Sequence, residues 1–142
     1  MQIDHLSHHN TDGLVCVLCD SKVATAHPYL QKFFEEAKQA FPMMHISWAF
    51  RDAEMQNLFY NQGKSRCIFP NSSHNKQDKD GKPCSRALDL FIISIEGIAQ
   101  FPEPFYTKLA KWIFDKGYKI KAGIIAPGFS EKDHFQITDD TI

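Results

Sequence analysis

The most constraining stretch of the chain is Arg86 to Ile95, Arg-Ala-Leu-Asp-Leu-Phe-Ile-Ile-Ser-Ile, an apolar, β-branched run that reads as a central strand. Asp89 stands in the middle of it, between Leu88 and Leu90. An isolated ionised carboxylate in a sheet core is costly unless it is paired or bound to a metal. Two readings follow. Asp89 is a metal ligand, or it turns out of the core and pairs with Arg86.

The rest of the chain supplies company for the first reading. His74 lies in a polar segment, Asn71-Ser-Ser-His-Asn, and His134 lies in Glu131-Lys-Asp-His-Phe-Gln at the start of a short apolar run. A catalytic zinc takes three protein ligands and keeps one open position, where bound water is acidified to a pKa of about 7. His74, Asp89 and His134 match that need. Glu131 precedes His134 by three residues, where a carboxylate beside the ligands can accept a proton from water and return it to a leaving amine. Asp133 is adjacent to His134, so its side chain is expected to point away if His134 points at a metal. Taken alone, His134 also fits a structural histidine.

With 142 residues, 43% of them hydrophobic and 23% charged, the chain fits one globular domain, 1–142, with a substantial core. A formal net charge of −1 without a basic stripe argues against nucleic acid as partner. Met1 to Gly13 reads as a loose arm carrying His5, His8 and His9, without the basic start and apolar run of a secretory signal. No apolar run reaches membrane-spanning length. The expectation is a protein made in a cytosol, without membrane insertion.

Cys16 and Cys19 have the spacing of a metal knuckle or a redox pair, and Cys67 with Cys84 could complete four thiolates. The second pair lacks the close spacing of a zinc ribbon, and buried free cysteine also serves as apolar filler.

Leu14 to Leu18 reads as a strand or a tether into the core. Leu30, Phe33, Phe34, Ala37 and Phe41 recur at helical steps and predict a helix over 28–41 that starts at Pro28 and ends before Pro42. His45 to Phe50 predicts a strand with Ile46, Trp48 and Phe50 on one face. A second helix is expected from Asp52 as N-cap, with Met55, Leu58 and Phe59 inward, stopping at Gly63. Lys64 to Pro83 is a long polar loop, which in a compact domain is usually functional or disordered. A third helix runs from Phe105 to Lys116 with Gly117 closing it. Lys119 to Ala126 follows as a strand with Ile120, Ala122 and Ile124 on one side, then a short strand from Phe135 to Ile137. The fold class is α+β with a mainly antiparallel sheet.

Four segments in order resemble the zinc peptidases that include the VanX and VanY DD-peptidases, phage L-alanyl-D-glutamate endopeptidases and the hedgehog signalling domain. They are Phe50-Arg51 to Gly63-Lys64-Ser65, Ser72-Ser-His74, Ser85-Arg-Ala-Leu-Asp89 and Glu131-Lys-Asp-His134, so the resemblance spans about Phe50 to Ile137. It implies Zn2+ held by His74, Asp89 and His134, with Glu131 as general base and acid. It also implies that Arg51 faces the substrate and stabilises the developing oxyanion. Ser72 and Gln56 are implied to orient ligand or substrate; each also fits a plain hydrogen bonder in a loop or on a helix surface. For Arg51 the plain alternative is a salt bridge with Asp52 or Glu54.

The chain departs from the family pattern in two places. Fourteen residues separate His74 from Asp89, a longer gap than the family's short turn. The surplus, Asn75 to Cys84, is polar and holds Asp80-Gly81, so it can loop out at small entropic cost or cover a cleft. Lys132-Asp133 stands where many relatives carry a proline before the histidine.

The expected function is a monomeric peptidase that cuts the stem peptide of bacterial peptidoglycan, as an L-alanyl-D-glutamate endopeptidase of the phage endolysin kind released by a holin. The alternatives are a D-Ala-D-Ala carboxypeptidase and, in another class, a non-catalytic zinc-stabilised binding module.

Overall fold

The computed structural model describes residues 16–94, 96–126 and 129–142. The histidine-rich arm and Leu14 lie outside the described residues. In chain order the elements are α1 (Val17–Val23), α2 (Pro28–Ala40), β1 (Met44–Trp48), α3 (Ala53–Asn61), β2 (Ala87–Ile93), β3 (Ala99–Gln100), α4 (Glu103–Lys116), β4 (Ile120–Ala126) and β5 (Phe129–Ile137). The strands form a five-stranded sheet in the order β1-β2-β5-β4, with β3 on β2, and every pair is antiparallel. The α+β class read from the sequence is the observed one.

The core forms where the apolar faces of α2 and α4 meet one face of this sheet. Leu30, Phe33 and Ala37 of α2, Leu109 and Ile113 of α4, Leu88 and Leu90 of β2 and Phe135 of β5 share one buried cluster. Full burial of each large side chain contributes about 1.5–3 kcal/mol. Phe33 and Trp112 meet with ring centroids 6.1 Å apart. Helix α2 starts on Pro28 and is capped at Phe41, while α4 ends on Gly117 at φ +77°, a left-handed conformation that suits glycine.

Several expectations need correction. Residues from Val17 onward form a helix rather than a strand: the Cys16 sulfur accepts the Cys19 N–H, and Asp20 and Lys22 suit the first and last turns. Asp52 caps α3 as expected, accepting from the Met55 N–H, yet the residue that α3 buries is Gln56. Leu58 is 44% exposed, and Met55 and Phe59 are half-buried. A polar network, described below, claims the inward position that hydrophobic periodicity assigned to apolar residues. In β4, Ile120 is buried but Ala122 is exposed, and the register shifts just beyond it, between Ala122 and Ile124. Strand β5 begins at Phe129, well before Phe135, as its polar half pairs with β4 in a hairpin.

The open edge of β1 is covered by side chains of the first two helices. Lys38 Nζ donates to Met44 O at 2.5 Å, Lys22 Nζ donates to Ser47 O at 2.7 Å, and Ile46 N–H donates to the Cys19 sulfur at 3.4 Å. Such cover keeps an edge strand from recruiting another chain.

Candidate active site

The site lies at the centre of the sheet, on the side of β2 that faces away from Leu88 and Leu90. Asp89 is paired across the strands with Trp48 of β1 and with His134 of β5. The β1 register slips by one residue between Ile46 and Trp48, a bulge of the kind that re-aims side chains next to sites. Asp89 makes none of the contacts that would pair it with Arg86, whose guanidinium donates to Ile142 O and Asp139 O instead.

His74 reaches Asp89 from a 3-10 turn, Ser73–Asn75. Ser72 caps that turn, its Oγ accepting the His74 N–H at 3.2 Å, while Asn75 Oδ1 accepts the Ser72 N–H at 3.0 Å. His74 Nδ1 donates to Ala49 O at 2.7 Å, and His74 O accepts the Arg51 N–H at 2.9 Å. The imidazole is thereby fixed with Nε2 turned to Asp89 Oδ1, at 3.1 Å.

His134 mirrors the arrangement. Its Nε2 donates to Gln136 Oε1 at 2.8 Å, and its Nδ1 faces the same Asp89 Oδ1 at 3.2 Å. The two rings stand edge to face, with centroids 5.1 Å apart. A carbonyl oxygen behind each ring fixes the tautomer, as it does behind metal-ligating histidines.

His74, Asp89 and His134 are all buried, and their ligand atoms lie within 4.8 Å of one another. Tetrahedral zinc with metal–ligand distances of about 2.0–2.2 Å has ligand–ligand edges of about 3.4 Å. Two of the three observed edges, 3.1 and 3.2 Å, fall a few tenths of an ångström short of that polygon. Three lone pairs converging on one point also repel unless a cation or a proton lies between them. The donor set of two imidazoles and one carboxylate therefore fits zinc.

Arg51 closes the far side of Asp89. It is buried, its Nη2 donates to Asp89 Oδ2 at 3.2 Å, and its Nη1 donates to Gln56 Oε1 at 3.0 Å. Its guanidinium lies over the rings of Phe59, at 4.7 Å, and Trp48, at 5.0 Å. Neither Asp52 nor Glu54 is its partner; Asp52 caps α3 and Glu54 is exposed. Gln56 is fully buried and uses its whole amide on the protein: Oε1 also accepts from Asn75 Nδ2, and Nε2 donates to Ser65 Oγ and Cys67 O. It holds Arg51 in place from beneath the site.

Glu131 and His134 stand three apart, a spacing that puts side chains of a regular strand on opposite faces. Nevertheless Glu131 Oε1 comes within 3.7 Å of His134 Nδ1. An irregularity in the β4–β5 hairpin makes this possible. Ala122 pairs with Phe135 and Ile124 with Glu131, so β5 carries two more residues than β4 across this step. Gly123, opposite the surplus, has φ +82°, and a Cβ there would sit 3.6 Å from Glu131 O.

The electrostatics separate the carboxylates. Burial would raise the pKa of Asp89, but His74 and His134 outweigh it and hold the group well below the usual range. For His134 burial works against the charged form, yet the hydrogen bond and charge of Asp89 prevail and raise its pKa. Glu131 is pushed up to about 7, by burial first and then by the charges of Asp89 and Asp133. Asp133 is raised to about 6 by burial and Asp89. It lines the cleft together with Glu131, so it is not turned clear of the site as the sequence suggested.

Above these residues opens a cleft of about 600 Å³, with Trp48, Phe59 and Phe101 as apolar walls and Lys64 and Arg66 as cations. Ser72 lines it as well. The insert from Asn75 to Cys84 does not line the cleft. It folds back on itself, Cys84 N–H donating to Lys76 O and Asp78 N–H to Lys82 O, both at 2.9 Å. Cys16 and Cys19 come together with His45 rather than with Cys67 and Cys84. No disulfide joins the four cysteines. Asn75 and Gln136 are the site residues that sequence reasoning left without a role; the Ser-x-x-Asn spacing of a capping box marks the former.

No helix among the described residues is long and apolar enough to cross a membrane. No protein-family model and no curated protein matches the chain. Among solved structures it is similar to the L-Ala D-Glu endopeptidase ChiX of Serratia marcescens, at 15% sequence identity and a TM-score of 0.67, over 96% of each chain. At that identity the likeness concerns the backbone, and the chain has the fold of that endopeptidase.

Proposed function

We propose that the protein is a zinc-dependent peptidase of bacterial peptidoglycan that cuts the stem peptide between L-alanine and D-glutamate. The observation that carries this reading is the convergence of His74 Nε2, Asp89 Oδ1 and His134 Nδ1 at the floor of an open cleft, with Glu131 3.7 Å from His134 Nδ1. The fold shared with an L-Ala D-Glu endopeptidase supports the choice of substrate.

His74, Asp89 and His134 would hold the zinc, which would supply Lewis acidity and make water at the site more acidic. The chain's own groups do the remaining work. Glu131, with Oε1 3.7 Å from His134 Nδ1, is placed to take a proton from the attacking water and to deliver it to the departing amine. Arg51 keeps Asp89 ionised and adds positive charge to a floor from which water is largely excluded, which favours the negative charge that develops on the carbonyl oxygen. Gln56 fixes the guanidinium, and Ser72 and Asn75 fix the turn that carries His74. Lys64 and Arg66 offer charge-assisted donors to the carboxylates of a stem peptide.

The test is digestion of purified peptidoglycan by the zinc-loaded protein and by Glu131→Ala, with mass analysis of the fragments. New amino termini at D-glutamate are expected from the wild type and not from the variant. Release of D-alanine instead would assign a carboxypeptidase. No cleavage by the zinc-loaded wild type would leave a binding module and overturn the reading.

A further inference from the structure

A second set of ligating atoms converges elsewhere in the fold and shares no residue with the cleft. Cys16 is the N-cap of α1, Cys19 lies within its first turn, and His45 belongs to the edge strand β1. The three are 2%, 1% and 0% exposed, and their ligand atoms lie within 4.8 Å of one another.

One edge can be set against a coordination polygon. Cys19 Sγ is 3.3 Å from His45 Nδ1, whereas a tetrahedral zinc site with Zn–S of about 2.3 Å and Zn–N of about 2.0–2.1 Å has an S···N edge of about 3.6 Å. Closing the gap takes a shift of a few tenths of an ångström.

Without a metal, the hydrogen bond with Cys16 and burial push the Cys19 thiol well up, while the Ile46 N–H and the charge of Lys38 work the other way. The Cys19 N–H donates to Cys16 Sγ at 3.3 Å, and the Ile46 N–H donates to Cys19 Sγ at 3.4 Å. Main-chain donors aimed at sulfur stabilise a thiolate over a thiol, and the first of them is the turn that a Cys-x-x-Cys pair adopts around a metal. Two thiolates and one divalent ion sum to no net charge, so the assembly escapes most of the penalty for burying a lone charge. Two sulfurs and one imidazole, without a carboxylate oxygen among them, select a thiophilic cation over magnesium or calcium.

We propose that Cys16, Cys19 and His45 bind a structural zinc ion, separate from the cleft, that fastens α1 to the open edge of β1. The site contributes to folding, since the binding free energy of a metal on a site that exists only in the native chain is also folding free energy. It stands independently of the reading of the cleft.

Cobalt separates the two sites, because thiolate-to-cobalt charge transfer absorbs in the near ultraviolet and the cleft offers no sulfur ligand. The metal-free full chain, titrated with Co2+, is expected to bind two equivalents and to develop that band. Asp89→Ala should keep the band and lose one equivalent. The double change Cys16→Ser with Cys19→Ser should abolish the band and keep the other equivalent. A wild-type titration without the band overturns the proposal and requires no variant to fold. A band that survives the double change overturns it as well, by placing the thiolate ligands at Cys67 or Cys84.

Discussion

Replacing Gln56 with alanine tests whether a single buried amide holds the candidate site together. The side chain is fully buried, accepts from Arg51 Nη1 at 3.0 Å and Asn75 Nδ2 at 3.2 Å, and donates to Ser65 Oγ at 2.8 Å and Cys67 O at 2.7 Å. The bond from the guanidinium is charge-assisted and its loss costs about 1.5–3 kcal/mol; the neutral bonds add about 0.5–1.5 kcal/mol each. Asn75 keeps its second bond, to Arg51 O, and water entering the gap recovers part of the rest. The expected destabilisation is about 3–5 kcal/mol. For a chain of this length the unfolding entropy is about 0.3 kcal/mol per kelvin, so the melting temperature should fall by about 10–17 °C. Urea and thermal unfolding at fixed metal loading measure it. Gln56→Glu separates the bonds, since it keeps an acceptor for Arg51 but sets a second oxygen against Cys67 O; an intermediate loss is expected. A melting temperature for Gln56→Ala within about 3 °C of the wild type would refute the account of Gln56 as the support of Arg51.

If Glu131 is the base and not a ligand, as proposed, Glu131→Gln should lower kcat on peptidoglycan by about 10²–10⁴-fold without changing the metal content; metal analysis beside fragment release checks both halves. In the metal-free protein, Glu131 carries a folded pKa of about 7 against an ordinary 4.5. The folded state then holds more protons than the unfolded state between those values, so stability should fall as pH rises from about 4.5 to about 7. Urea midpoints of chelator-treated protein across that range, compared with Glu131→Gln, read the effect, and an unchanged slope in the variant would exclude Glu131 as its source. Gly123→Ala forces a side chain onto a backbone at φ +82° and should cost about 1–2 kcal/mol. Because Gly123 faces the surplus residues of β5, the change should also lower kcat through Glu131, which stability and rate measurements on the same preparation can separate.

Asp89 shows how far a sequence can carry such an argument. Its place between two leucines of an apolar strand calls for a partner of opposite charge, and the structure surrounds it with Arg51, His74 and His134. The helices α2 and α4 were legible for a similar reason, since periodic apolar residues and a proline or glycine at each end leave little choice. Gln56 was marked only by the resemblance and as a group for ligand or substrate, not as a buried support of Arg51, because hydrophobic periodicity has no means of ranking a polar residue that is satisfied by four partners from distant parts of the chain. The approach of Glu131 to His134 was legible as a motif but not as geometry, for it depends on a hairpin irregularity that neither strand reveals alone. His45 escaped notice beside Cys16 because only the packing of α1 on β1 joins them.

The insert between His74 and Asp89 closes on itself through Lys76, Asp78, Lys82 and Cys84, and residues 76–83 are exposed. Its neck is thus a hydrogen-bonded clamp, and the chain beyond the neck bears no load from the side chains of the candidate site. That makes the turn around Asp80-Gly81 a natural graft point. A wall-targeting peptide or a fluorescent reporter spliced in there would extend the protein into solvent while Asn75 and Ser85, the residues on either side of the neck, stay anchored in the fold.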